Sequence, residues 1–197
     1  VADVAAVCGF PAPFPACDPA AAVIVPPGAS MVLPPGIYGD LLVARGGSLT
    51  LGGGAYQFCN VTVSRVAHLE FQAALEVDVS GHMVVGPSAF VGPAPGSGVA
   101  ASDVRLFSAG TLVRFSRASQ VQARLCAPDA SLRLTQSGSH VGTFIAARVG
   151  TERISIEHPD MNFTCADIGD GFCGGSCPPR RVCGQTKDGC GCVLQPQ

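Results

Sequence analysis

His68, Glu70, Glu76, Asp78 and His82 crowd into one stretch of the sequence, and they are residue types that move protons or hold a divalent cation. In an extended chain Glu76 and Asp78 point to one side, about 6.8 Å apart. A polysaccharide lyase clusters carboxylates for calcium with an arginine base beside them, and a glycosidase needs two opposed carboxylates. The side chains for either chemistry are here. Neither constellation is completed elsewhere in the chain, and plain alternation sends such polar residues outward from any half-buried strand. No catalytic residue, metal ligand or cofactor is assigned, and the five are carried forward as a polar patch. Ser80-Gly81-His82 offers no triad, since neither a Gly-x-Ser-x-Gly elbow nor a glycine-rich phosphate loop is present. The same alternation reads His140 and His158 as surface residues.

The elements that must position these residues alternate in the strand sense. Leu49 and Leu51 flank Thr50, Val61 and Val63 flank Thr62, Leu69 and Phe71 flank Glu70, and Val77 and Val79 flank Asp78. A small residue followed by a hydroxyl or imidazole and a leucine recurs at about twenty residues, in Gly47-Ser48-Leu49, Ala67-His68-Leu69, Gly110-Thr111-Leu112 and Ala130-Ser131-Leu132, with Gly150-Thr151 continuing the count. Val104-Arg105-Leu106-Phe107 and Leu112-Val113-Arg114-Phe115 overlay on Ala123-Arg124-Leu125-Cys126 and Ser131-Leu132-Arg133-Leu134, so two arginines repeat in step. A third pass is read in Thr143-Phe144-Ile145-Ala146 and Glu152-Arg153-Ile154-Ser155. An antiparallel β-sandwich, the alternative fold, has no reason to repeat side-chain identity on one face, whereas stacked coils place each residue about 4.8 Å from its counterpart. The expectation is an all-β, right-handed parallel β-helix of roughly six rungs with disulfide-rich terminal segments. Its parts are a Pro/Ala-rich cap or assembly segment over 1–38, the solenoid over 39–158 with Pro93 to Ser102 as a projecting loop, and a cysteine-rich module over 159–197.

Six of the ten cysteines, Cys165, Cys173, Cys177, Cys183, Cys190 and Cys192, lie in that last zone. With so little apolar content it needs cross-links to fold, and the Cys-x2-Cys spacing of a zinc site is missing. Cys8 and Cys17 are expected to pair locally. Cys59 and Cys126 sit three rungs apart, about 14 Å on one facet against the about 7 Å a disulfide tolerates, so each is expected to pair with another segment if at all. Cysteine-rich chains that open at Val1 instead of Met read as exported proteins freed of a signal, which places this one outside the cell or on its surface. No stretch approaches the roughly 18 apolar residues of a membrane span. Net charge is −2 and Lys187 is the sole lysine, so no basic stripe for nucleic acid is present. Thr50, Thr62, Thr111, Thr135 and Thr143 form no regular Thr-x-Thr array, which argues against an ice-binding face. Asn60-Val61-Thr62 and Asn162-Phe163-Thr164 match the glycosylation pattern.

Open ends are the weak point of a solenoid and must be capped or joined. The first zone and the tail could serve as lids. The charge layout favours joining: Arg45 and Arg65 face Asp3, Asp18, Asp40, Glu70, Glu76 and Asp78 in the first half, while Arg105, Arg114, Arg117, Arg124, Arg133, Arg148 and Arg153 outnumber the carboxylates of residues 103–160. A rod negative at one end and positive at the other suits head-to-tail contact. Gly39-Asp40-Leu41-Leu42-Val43, Gly47-Ser48-Leu49-Thr50-Leu51 and His140-Val141-Gly142-Thr143-Phe144-Ile145-Ala146 resemble bacterial polymer-forming β-helix proteins of the bactofilin type, and more loosely secreted solenoids. The tail string from Cys173 to Cys183 resembles cysteine-rich modules of exported bacterial surface proteins. Bactofilins are cytoplasmic and lack such cysteines, so the likeness implies end-to-end polymerisation and no chemistry. The resulting expectation is an exported structural protein, not an enzyme, that partners itself in a filament or surface layer. The alternative is a carbohydrate-binding or polysaccharide-cleaving β-helix.

Overall fold

The structure, a computed structural model, describes residues 8–11, 13–151, 155–157, 181–186 and 189–194. Residues 1–159 and 160–197 form separate units. In the first, short strands follow one another around three faces. The first coil is β1 (Val23–Val25), β2 (Ser30–Leu33) and β3 (Gly36–Ile37), and the second is β4 (Leu41–Val43), β5 (Ser48–Leu51) and β6 (Gly54–Phe58). The third is β7 (Val61–Val63), β8 (His68–Phe71) and β9 (Leu75–Val79), and the fourth is β10 (Met83–Val85), β11 (Phe90–Pro93) and β12 (Val104–Ser108). Then come β13 (Leu112–Phe115), β14 (Gln120–Gln122), β15 (Arg124–Leu134), β16 (Ser139–Val141), β17 (Phe144–Thr151) and β18 (Ser155–Glu157). β15 and β17 each turn a corner, serving the third face of one coil and the first face of the next. Every pairing in this unit is parallel, β1-β4-β7-β10-β13-β15 on face 1, β2-β5-β8-β11-β14-β16-β18 on face 2 and β3-β6-β9-β12-β15 on face 3. The fold is a parallel β-solenoid of about 6 turns, and the antiparallel sandwich is excluded for it.

Alternation makes the columns. Val23, Leu41, Val61, Met83, Val113 and Leu132 stack on face 1, with Val25, Val43, Val63, Val85, Phe115 and Leu134 two residues on. From the second coil to the sixth both rows are buried, and each column removes a continuous apolar stripe from water at about 0.8 kcal/mol per methylene. Tyr56, Val77, Leu106 and Leu125 do the same from face 3. The corner from face 1 to face 2 is one four-residue turn repeated, closed by Ala29 N–H to Pro26 O (3.1 Å), Gly47 to Ala44 (2.8 Å), Ala67 to Ser64 (3.2 Å), Ala89 to Gly86 (3.2 Å) and Ser119 to Ser116 (3.1 Å). Its third residue takes positive φ: Gly28 and Gly46, then the costlier Val66, Ser88, Ala118 and Ser137 at 55–59°. Its fourth residue is small because it is packed against the coil below. A Cβ on Gly47 would lie 3.0 Å from Pro26 O.

Several expectations change in detail. The solenoid already begins at Val23, inside the Pro-rich zone, because Pro26-Pro27 and Pro34-Pro35 fall at corners, where no ladder N–H is required. Gly110-Thr111-Leu112 and Ala130-Ser131-Leu132 mark a different corner from Gly47-Ser48-Leu49, and Leu112 pairs with Ser131. Every corner needs a small residue, so a small-residue motif cannot tell the corners apart. The arginine overlay holds position by position (Arg105 on Arg124, Arg114 on Arg133). The third pass continues from Phe144 not through Glu152-Arg153-Ile154-Ser155 but through Arg148-Val149-Gly150-Thr151, which pair with Ser131–Leu134. Pro93 to Ser102 runs from the last residue of β11 into the short 3-10 turn Ala101–Asp103, at the corner from face 2 to face 3. In the second unit β19 (Arg181–Thr186) and β20 (Gly189–Leu194) form an antiparallel hairpin. Connectivity of the tail cysteines, His158 and the Asn162 sequon lie outside the described residues.

Candidate functional site

The five residues of the polar patch are distributed over three faces. His68 and Glu70 lie on face 2, with Nδ1 3.3 Å from Oε1. Glu76 points out from face 3 and meets Arg105 of the next coil at 3.4 Å. His82 stands at the start of face 1, where its backbone N–H donates to Asn60 Oδ1 (3.0 Å) and Asn60 Nδ2 donates to Asp40 Oδ1 (2.8 Å). Asp78, two residues from Glu76 and on the same side of β9, is only 3% exposed. Burial, with a smaller contribution from Glu76, pushes its carboxyl up to about 6. Among the described residues no cleft brings two carboxylates to face each other across a substrate, and no three His, Cys, Asp or Glu side chains cluster as a metal site.

What covers Asp78 is the N-terminal segment. It is not an end lid but a strap along the outside of face 3. Cys8 is bonded to Cys126 and Cys17 to Cys59, with Cα atoms 5.9 and 5.1 Å apart. Between these anchors Phe10 stacks on Phe14 (5.0 Å) and meets Phe107 edge-on (6.1 Å), and Ser80 Oγ donates to Pro15 O (3.4 Å). The strap thus descends from the fifth coil to the second over the outward column Gln57, Asp78, Phe107 and Cys126. The local Cys8–Cys17 pairing is overturned for a physical reason: the prolines of residues 11–15 hold the segment extended, keeping its ends apart. Cys59 and Cys126, too distant for each other, are bridged by the two ends of one strap.

His140 is also displaced from its expected place. It sits in the inward column above Val121 and is fully buried, against Phe115 (5.4 Å) and Phe144 (6.0 Å). Among the described residues neither ring nitrogen has a hydrogen-bond partner, and burial lowers its pKa to about 4. Gly138 is needed beside it, since a Cβ there would come within 2.5 Å of Nε2.

The feature that no sequence motif marks is the first coil. β1, β2 and β3 end their sheets, so among the described residues three strand edges have no neighbour on one side. Their outward residues, one per face, are Ile24 (60% exposed), Val32 (71%) and Ile37 (56%). Inward Val23, Met31 and Leu33 are only partly buried, because no coil lies beyond them. The signal was available: the chain carries no charged residue between Asp18 and Asp40. No family model, curated protein or solved structure matches this chain. Among the described residues no helix is long and apolar enough to cross a membrane.

Proposed function

We propose that this protein is a structural solenoid that associates with copies of itself through its first coil, building an extracellular filament or surface layer. The observation that carries the reading is the combination of three unpaired strand edges with Ile24, Val32 and Ile37 exposed on one coil without charge. Natural sheet edges are normally blunted by lysines, bulges or a covering segment, because a bare edge templates the next strand. Here only prolines at the corners interrupt it, and they leave the ladder groups of β1 and β2 free. The backbone complement of a parallel coil edge is another coil edge. Head-to-tail contact also fits the charges, with Asp18 and Asp40 near the first coil and Arg133 and Arg148 near the last. Such a heterologous contact does not close and so propagates. The resemblance to bactofilin-type solenoids points the same way, and two disulfides across a strap favour an oxidising compartment.

Negative-stain microscopy over a dilution series tests this. Rods that lengthen with concentration are expected, and Ile24→Lys with Val32→Lys is expected to leave single solenoids with unchanged circular dichroism. Single particles at every concentration, or variants that assemble as before, contradict the proposal.

A further inference from the structure

Arg114 and Arg133 occupy the same outward position of neighbouring coils on face 1, one above the other in the strand register. Like charges stacked at about 4.8 Å repel and destabilise the ladder, and neither arginine has an ion-pair partner among the described residues. A second stacked pair, on face 3, differs: Arg105, above which Arg124 lies, is held by Glu76, and a third, Arg45 and Arg65 at the second residue of the repeated corner turn, lies outside any such groove. The next position in the Arg114 column is Gly150, so the row ends in a recess, and Arg148 follows Ser131 in the outward column beside it. The result is an open groove of about 520 Å³ lined by the two arginines with Ser131, Thr135, Gly150 and Thr151. Thr135 Oγ1 donates to Phe115 O (3.3 Å), whereas the hydroxyls of Ser131 and Thr151 have no hydrogen-bond partner among the described residues. Among the described residues no carboxylate lines the groove.

We infer that this groove binds an extended acidic polysaccharide, with carboxylate or sulfate groups engaging the stacked Arg114 and Arg133. Each guanidinium presents a planar fork that matches a carboxylate or sulfate in two parallel hydrogen bonds. Two forks at one-rung spacing along the axis fit successive charges of a linear polymer better than a single small anion. The free hydroxyls supply donors and acceptors for sugar hydroxyls. Nucleic acid fits less well: among the described residues no aromatic ring lines the groove to stack a base, and one lysine with a net charge of −2 gives little attraction for a phosphate backbone. Bound anions would remove the repulsion that the bare ladder carries.

Calorimetric titration of the intact chain with polygalacturonate, dextran sulfate, neutral dextran and single-stranded oligothymidylate tests this at low and at physiological salt. At least one of the two acidic polysaccharides is expected to bind, polygalacturonate identifying a carboxylate ligand and dextran sulfate a sulfate one, while neutral dextran gives no heat. Arg114→Gln with Arg133→Gln is expected to weaken that binding roughly tenfold. Arg45→Gln with Arg65→Gln, which removes the same charge from exposed corner positions of the second and third coils, is expected to change it less than about twofold. All four side chains are exposed, so both variants are expected to stay folded, with melting temperatures no lower than the wild type's because each loses a like-charge contact. The inference is overturned if neither acidic polysaccharide binds, if both double variants lose affinity equally, or if oligothymidylate binds more tightly than either polysaccharide.

Discussion

Apolar residues at outward positions of this solenoid meet different fates on face 3 and at the first coil. On face 3 Phe107 and Cys126 are covered by the chain's own N-terminal strap and are almost fully buried. At the first coil Ile24, Val32 and Ile37 have no such cover. Inside, the two regions are alike, with columns of Val, Leu and aromatic side chains. The difference teaches that in a stacked coil the inward columns specify the fold, and the outward columns record what the surface meets. Where the chain supplies the cover, the outward residues are aromatic and cross-linked. Where the chain supplies no cover, at the first coil, they stay exposed and the charges are withdrawn.

The largest way to break the comparison is to lift the strap. Replacing Cys17 and Cys59 by alanine opens one anchor and is expected to cost about 2–4 kcal/mol in urea denaturation. The same variant uncovers Phe107, so dye binding to exposed apolar surface should rise toward what the first coil shows alone. If stability and dye binding stay at wild-type values, the strap is not a cover in the sense argued.

Acidity separates the groups beneath the strap and inside the core. Asp78 titrates near 6 in the folded chain against 3.8 ordinarily, so the folded state holds an extra proton in that interval. Stability from this group rises as pH falls from about 6 to 3.8 and is lost as pH rises through 6. His140, near 4 against 6.5, refuses a proton that the unfolded chain takes, so stability falls as pH drops from 6.5 toward 4. Each slope reaches at most about 1.4 kcal/mol per pH unit, and the two oppose each other in the wild type. Asp78→Asn should therefore become less stable on acidification, and His140→Val more stable. Denaturation curves at pH 7, 6 and 5 (about these values, spanning the window of the linkage relation) check the signs. Opening the strap should also abolish the Asp78 contribution, since water then reaches its carboxylate.

The smallest effect sharpens the repeating corner. Val66 holds a positive φ that Gly28 and Gly46 hold without strain. Val66→Asn should raise stability by up to about 1 kcal/mol in thermal melts, because asparagine tolerates this region and a β-branched residue does not. A loss of stability would show that packing at this corner outweighs backbone strain.

Much of the fold was legible because alternation and repetition are local properties. The paired arginines marked the register of two coils correctly, and the cysteine density pointed to cross-links. The strap was not legible, since a Pro-rich segment says that it is extended without saying what it lies on, and Cys8 finds Cys126 only once the coils are stacked. His140 misled because Ser139-His140-Val141 reads equally well in either parity, and only the register with Val121 turns it inward. The polar patch looked like one site because its residues are close in sequence, whereas three faces separate them in space. The first coil was overlooked because a missing charge leaves no motif.

Amide hydrogen exchange as a function of protein concentration tests the central claim most directly. If the first coil is the contact through which copies join, protection of the backbone amides of Val23–Val25 and Ser30–Leu33 should rise with concentration, while Val61–Val63 and Val77–Val79, already paired on both sides, stay unchanged. Amides of the first coil that exchange equally fast at every concentration would contradict it.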